Sequence, residues 1–292
     1  MDRGNQRKLQ TGPKCSLVLK FARNAPLAIL LRRGPSNWVQ MIRWSLRNDI
    51  FEAGQWFKGR IYAELSELSE DGELLLYSAR KTNGWTLRMR DGVGEAWTAI
   101  SRPPHFTALA LWPNCCWTGG GVFTAHRAVK LDLPFPAAHP GLPPPRLEVV
   151  GTPKPSDPPL SLQIALREGW QMEAPLSELR HYHWQLKTRQ YKEAGEGAVR
   201  ILKATSTDKH WVLRQHFSVR NVHGEVRLEQ ADCVDFDGGG RLIQCVGGRL
   251  LVCETPTSAQ LEWRELADFS QARPAPMPPK DWARDWPDQP NN

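Results

Sequence analysis

The sequence contains no apolar run long enough to cross a membrane. Its best candidate, Leu17 to Leu31, is interrupted by Lys20, Arg23 and Asn24. A membrane-spanning helix needs about 20 predominantly apolar residues. The same interruptions make this stretch a poor signal peptide. We therefore expect a soluble, cytoplasmic protein with no role at a membrane.

Spacings that would hold a metal ion are also missing. The intervals between Cys233, Cys245 and Cys253 are far longer than those of a structural zinc site. The segment Asp235 to Gly238 begins like a calcium loop, but Val246 stands where such a loop needs a bidentate Glu. We read this segment as a turn, in which Asp accepts backbone hydrogen bonds.

Motifs for nucleotide binding or covalent catalysis are lacking as well. The glycine triplets at 119–121 and 238–240 lack the Lys-Ser or Lys-Thr pair of a P-loop. The sequence has neither a G-x-S-x-G elbow nor an H-E-x-x-H pair. We predict no catalytic residue, no metal and no cofactor. A hydrolase-type enzyme that uses His181, His183 or His216 is kept as an alternative.

Acidic residues are scarce near the N-terminus. Residues 1–48 hold ten Lys or Arg and a single acid, Asp2, so this segment carries +9 while the whole chain carries +7. A basic segment of this kind suits nucleic acid or another anionic partner. The plainer interpretation is a solvated arm followed by a basic strand face. Nucleic-acid association through residues 1–48 is therefore an alternative hypothesis.

Turn and strand signals are abundant, with 23 glycines and 24 prolines. Residues 61–66 alternate between apolar and polar types, and an Asp71-Gly72 turn and an apolar run at 74–77 follow, which predicts a β-hairpin. The segments Trp38–Leu46 and Ile50–Phe57 predict a second hairpin. Helical periodicity is weak, and only residues 174–190 could hold a helix, although their Tyr and Trp content suits a strand as well.

The segment 68–77 has an internal echo at 234–243. Both contain a strand end, an Asp-Gly turn and an apolar strand, and the second continues through 247–252 as a further hairpin. These hairpins resemble the blades of TolB-like and WD40-like β-propellers. The Trp-rich segments 34–38, 54–57 and 97–104 are similar to an uncharacterised bacterial family, which implies no activity.

The resemblance implies an all-β, propeller-like fold of about five or six irregular blades. Two β-sandwich or barrel domains joined by a Pro-rich linker are the alternative. Ten of the 24 prolines lie at 134–159, which suits a linker or a strap. The expected organisation is a basic arm at 1–15, a β block at 16–133, the Pro-rich segment at 134–159, a second β block at 160–272 and a Pro-rich tail at 273–292.

The chain contains 13 tryptophans. Their ordinary role is packing between strands, but exposed Trp and Arg also anchor protein partners. Five candidates lie close together in the sequence: Arg32, Arg33, Trp38, Arg43 and Trp44. Our leading hypothesis is a non-catalytic platform that binds a protein partner through such a patch. The same patch would also suit a single strand of nucleic acid.

Overall fold

Segments with strand patterns form β-strands, and the computed structural model is all-β. It describes residues 15–81, 93–114, 119–125, 127–134, 136–144, 147–150, 154, 157–173, 187–207 and 213–287. Five sheets follow one another along the chain, and none of them closes on itself. Neighbouring strands are antiparallel, apart from a short parallel pairing of the tenth and eleventh strands.

The first two sheets are four-stranded meanders with the strands in chain order. Sheet 1 consists of β1 (Ser16–Phe21), β2 (Leu27–Arg33), β3 (Trp38–Ser45) and β4 (Ile50–Lys58). Sheet 2 consists of β5 (Arg60–Leu68), β6 (Leu75–Arg80), β7 (Ala96–Ser101) and β8 (Ala108–Asn114).

Sheet 3 is small, and a helix separates it from sheet 4. Sheet 3 consists of β9 (Gly121–Ala125), β10 (Ala128–Leu131) and β11 (Glu148–Val149), with β10 in the centre. The helix is α1 (Leu160–Arg167). Sheet 4 consists of β12 (Gln171–Met172), β13 (Lys187–Ala194), β14 (Val199–Thr207), β15 (Leu213–Asn221) and β16 (Gly224–Leu228).

Sheet 5 is again a four-stranded meander, and a short 3₁₀ helix at Asp281–Arg284 follows it. Its strands are β17 (Cys233–Phe236), β18 (Leu242–Val246), β19 (Arg249–Cys253) and β20 (Arg264–Asp268).

The hairpins read from the sequence are confirmed. β3 and β4 flank the turn at Asp49, and β5 and β6 flank the turn at Asp71-Gly72. Gly72 has a φ of 78°, a value that glycine adopts without the steric cost of a Cβ. The Asp71 carboxylate accepts hydrogen bonds from the Ser69 hydroxyl and the Glu73 amide, which fixes the turn.

The segment 174–190, which could hold a helix or a strand by its sequence, forms a strand where the structure describes it. Residues 187–190 of the candidate segment belong to β13, and 174–186 lie outside the described residues. The α-helix of the structure is α1, which begins directly after Pro159. Proline suits a helix start because the first amides of a helix lack an intrahelical partner. Leu160 and Ile164 of α1 pack against Val122 of sheet 3.

Apolar clusters join the sheets face to face. One cluster joins sheets 1 and 2, a second joins sheets 2 and 3, a third joins sheets 4 and 5, and a fourth joins sheets 5 and 1. In the fourth, Leu30 and Trp44 of sheet 1 contact the layer formed by Ile243 and Val252 of sheet 5. The β blocks at 16–133 and 160–272 therefore share an apolar core.

The Pro-rich segment and the tail both lie against the sheets. The His139 amide donates to the Leu111 carbonyl at 2.7 Å, and Val149 packs on the cluster between sheets 2 and 3. In the tail, Gln55 Nε2 donates to the Met277 carbonyl at 3.1 Å. The Pro-rich segment thus lies against β8 and the tail lies against β4; we call the latter the tail strap.

Candidate interaction surface

The structure does not bring the five predicted interaction residues into one exposed patch. Arg32 is 1% exposed, and its guanidinium donates to the carbonyls of Phe269, Ser270 and Ala272. Trp44 is fully buried, and its indole donates to the Asp49 carboxylate at 3.1 Å. These two side chains hold sheet 1 to its surroundings and do not meet solvent.

The remaining three candidates are half-buried on sheet 1. Arg33 donates to the Ile61 carbonyl at 2.7 Å, and Arg43 lies 4.0 Å from the Glu73 carboxylate. Trp38 meets the edge of Trp56, with ring centroids 6.4 Å apart. A role for these three in binding a partner stays a prediction.

The basic residues at 16–48 mostly have partners within the protein. Lys20 is 6% exposed and pairs with Glu168 at 2.7 Å. Arg23 pairs with both Glu67 and Glu70. These charges are engaged with carboxylates, which leaves the nucleic-acid hypothesis to depend chiefly on residues 1–14. Those residues lie outside the described part of the chain.

Sheet 4 offers a different kind of surface. On one face, Ile201, Phe217 and Val219 are buried against sheet 5. Among the described residues, no buried apolar cluster covers the opposite face. Strand alternation places Leu202 and Ser218 there, opposite each other in register. We call this uncovered surface the open face.

The open face carries charged side chains of both signs. Register and alternation place on it four arginines and two glutamates of the strands: Arg200, Arg214, Arg220, Arg227, Glu193 and Glu225. Two further carboxylates lie beside them, because Glu173 follows β12 and Glu229 pairs with Arg227 at 3.0 Å. Glu225 accepts hydrogen bonds from Ser218 and Arg220, which together hold the pKa of its carboxyl below the ordinary range. His216 is exposed beside Ala204. His181 and His183 lie outside the described residues.

A groove of about 290 Å³ crosses this region of sheet 4. Its lining includes Leu202 and Ala204 together with His216, Arg227 and Glu173. Small and apolar groups in the middle of the strands thus lie between charged groups of both signs. This combination suits a partner segment that brings both apolar contacts and negative charge.

Behind the packed face of sheet 4 lies a buried cluster of charges around Trp170. Lys192 pairs with Asp235 at 2.6 Å, and Lys203 places its Nζ 3.7 Å from the centroid of the Trp170 ring. Burial raises the pKa of the Asp235 carboxyl, although Lys192 opposes this shift. Burial also lowers the pKa of Lys203 to about 8.

The cluster ties four parts of the chain together. Lys20 comes from sheet 1, Glu168 follows α1, Lys192 and Lys203 lie on sheet 4, and Asp235 lies on sheet 5. Buried ion pairs add little net stability but are strongly destabilising when one partner is removed. We therefore interpret the cluster as a device that fixes how these elements meet.

Across the described ranges, no group of three or more His, Cys, Asp or Glu side chains is placed to hold a metal ion. No helix in this part of the chain is long and apolar enough to span a membrane.

The comparisons add no assignment. No protein-family model matches the chain, and a search of curated proteins finds no match.

The open face was not predicted from the sequence as an interaction surface. The alternation from Leu213 to Asn221 does carry its signal, because Arg214, His216 and Ser218 fall on one side of the strand. Alternation cannot show, however, whether another sheet covers that side.

Proposed function

We propose that this protein is a non-catalytic, propeller-like interaction protein, and that it binds an acidic segment of a partner protein on the open face of sheet 4. The observation that carries the proposal is that one face of sheet 4 has no sheet packed on it among the described residues. Sheets 1, 2 and 5 pack a neighbouring sheet on both faces, whereas sheet 4 packs sheet 5 on one face and exposes on the other a groove that contains Arg220 and Arg227.

The propeller-like part of the proposal is supported by the order of packing. Consecutive sheets 1, 2 and 3 pack in chain order, as do sheets 4 and 5, and sheet 5 returns to sheet 1. Between sheets 3 and 4, α1 contacts Val122 through Leu160 and contributes Ala165 to the core of sheets 4 and 5. Radial packing of short meanders is the arrangement that propellers use.

The choice of an acidic partner is supported by the charges. Arg220 and Arg227 form ion pairs with Glu225 and Glu229 that are open to solvent, so carboxylates of a partner can compete for both arginines. Arg227 is exposed, and Arg220 has half of its side-chain surface accessible. Complementary charge steers a partner toward such a surface, and the apolar floor at Leu202 and Ala204 supplies contact area. The platform is cytoplasmic in this proposal.

Binding of labelled peptides tests the proposal. Fluorescence anisotropy would compare a short peptide of alternating Glu and Val with a matching peptide of alternating Lys and Val. We expect the acidic peptide to bind preferentially, and Arg220→Glu combined with Arg227→Glu to weaken its binding by about tenfold or more. The control is Arg264→Glu, which reverses an exposed arginine on β20.

Each outcome decides the proposal. Equal binding of both peptides, no binding of the acidic peptide, or equal losses in the two variants would overturn it. A single-stranded DNA probe forms a further arm. If DNA binds in a salt-sensitive manner while the acidic peptide does not, the nucleic-acid hypothesis replaces this one.

A further inference from the structure

Two cysteines face each other across the ladder between β17 and β18. Cys233 stands opposite Cys245 in the strand register, and their Sγ atoms are 3.6 Å apart. Both are free thiols in the structure. A disulfide requires a sulfur–sulfur distance of about 2.0 Å. Opposite positions on antiparallel strands place Cβ atoms about 4.5–5.5 Å apart, so a small adjustment brings the sulfurs within bonding reach.

The surroundings of the two thiols differ. Cys245 is fully buried within the apolar cluster that joins sheets 5 and 1, whereas Cys233 is half-buried at the margin of the same cluster. Burial, reinforced by the neighbouring Cys233 sulfur, raises the pKa of the Cys245 thiol. Solvent-borne reagents therefore reach Cys233 before they reach Cys245.

We propose that Cys233 and Cys245 form an oxidative modification site whose co-reactant is hydrogen peroxide. The Cys233 sulfur attacks one peroxide oxygen, the O–O bond breaks, and a sulfenic acid forms with release of one water. The Cys245 sulfur then displaces the hydroxyl group from Cys233, and its proton leaves in a second water. Two thiols are thus oxidised by two electrons to one disulfide, and one peroxide is reduced to two waters.

The disulfide would act where the two ends of the sheet series meet. Asp232, next to Cys233 in the chain, accepts a hydrogen bond from the Leu17 amide of sheet 1 at 3.4 Å. Its carboxylate also accepts from the Gly247 amide at 2.9 Å, beyond the end of β18. A cross-link between β17 and β18 would fix the strand ends that hold this contact.

The same sheet supplies a matched control. Cys253 on β19 is fully buried like Cys245, but Leu242 is its partner in the register. A thiol with the same burial and no opposing sulfur distinguishes proximity from general reactivity. The variant Cys253→Ala therefore leaves the proposed site intact.

Mass spectrometry of the full-length folded protein tests the proposal. Mild treatment with hydrogen peroxide should lower the intact mass by two hydrogens and leave four of the six thiols titratable after denaturation. A proteolytic digest should contain the Cys233–Cys245 cross-linked peptide, and dithiothreitol should restore all six thiols. Cys253→Ala should form the same bridge, and Cys233→Ser should not.

The result can also overturn the proposal. Six titratable thiols after peroxide, a bridge between any other pair, or a sulfinic acid at Cys233 without a bridge would each refute it. Because the wild-type protein gives the decisive readout, a folding defect in a variant does not affect the outcome.

Discussion

Sheets 1 and 4 are both meanders of long strands, but they bury their surfaces differently. In sheet 1, β2 is buried at six consecutive positions, from Leu27 to Arg32, because sheets 2 and 5 cover its two faces. In sheet 4, β15 alternates buried Phe217 and Val219 with exposed Arg220. A continuous apolar run thus marks a sheet packed on both sides, and alternation marks a sheet with a face toward solvent.

The largest difference in stability between the two sheets is expected when one side chain on each is truncated to alanine. Trp44→Ala should lower the free energy of unfolding by about 3–5 kcal/mol, because the indole is fully buried between sheets 1 and 5. Leu202→Ala on the open face should cost less than about 1 kcal/mol. Urea denaturation of both variants measures the difference, and equal losses would contradict the assignment of the open face.

The packed face of sheet 4 provides the next test. Lys203→Met should raise the free energy of unfolding at neutral pH by about 1–3 kcal/mol, because it removes a buried ammonium group. The variant also loses the contact between the ammonium and the Trp170 ring, which makes the gain smaller. The folded-state pKa of about 8 lies below the ordinary value of 10.5. The unfolded chain therefore binds more protons between these values, and wild-type stability should rise with pH across that window.

Lys192→Met is the matched change on the same face of sheet 4. It leaves the buried Asp235 carboxylate without its cation, so the free energy of unfolding should fall. Chemical denaturation at several pH values measures both lysine variants. A loss of stability in Lys203→Met comparable to that in Lys192→Met would show that Lys203 stabilises the cluster in its charged form.

A pH-dependent effect of intermediate size is expected at the tail strap. His105 is 1% exposed, and its ring meets Trp282 with centroids 5.2 Å apart. Among the described residues, neither ring nitrogen has a hydrogen-bond partner. Burial lowers the pKa of His105; the nearby Lys280 acts in the same direction, and Glu52 opposes both. A lowered folded-state pKa means that stability is lost as the pH falls below about 6.5.

His105→Phe should reduce this loss because the ring contact with Trp282 is kept without a titrating group. Thermal unfolding from pH 7.5 to 5 would measure it. His216→Gln on the open face serves as the control, since it leaves the surroundings of His105 intact. If the wild type and His105→Phe lose stability in parallel on acidification, His105 does not cause the loss.

The smallest effect is expected from Arg220→Ala on the open face. Both Arg220 and its partner Glu225 are solvent-exposed, so the change should alter the free energy of unfolding by no more than about 0.5 kcal/mol. Chemical denaturation measures this. A loss above about 1 kcal/mol would show that this surface is part of the stable core and not a free binding face.

Local signals in the sequence predict much of the fold. The turns at Asp49 and Asp71-Gly72 are set by neighbouring residues, so their hairpins are predicted correctly. Helix α1 is missed because it has only eight residues, no acidic residue in its first turn and no side-chain cap. Its position depends on packing against Val122, and such a distant contact leaves no periodic signal in so short a segment.

The candidate site is harder to predict because it depends on what covers each residue. Arg32 and Arg33 are neighbours at the end of β2, but only Arg32 is buried, because its guanidinium donates to carbonyl groups of 269–272. Those carbonyls are more than 230 positions away in the chain. In the same way, the sequence does not show that Trp44 is fully buried while Trp38 is half-buried, because tertiary packing decides which indole is covered.

The contact between sheets 5 and 1 also determines how long an apolar surface stays exposed during protein synthesis. The apolar face of sheet 1 that carries Leu30 and Trp44 is complete early, but its cover, formed by residues 243–252, is translated roughly 200 residues later. At about 5–20 residues per second, the nascent chain exposes that face for about 10–40 seconds. During this interval it is a target for ribosome-associated chaperones and for association with a neighbouring nascent chain on the same message.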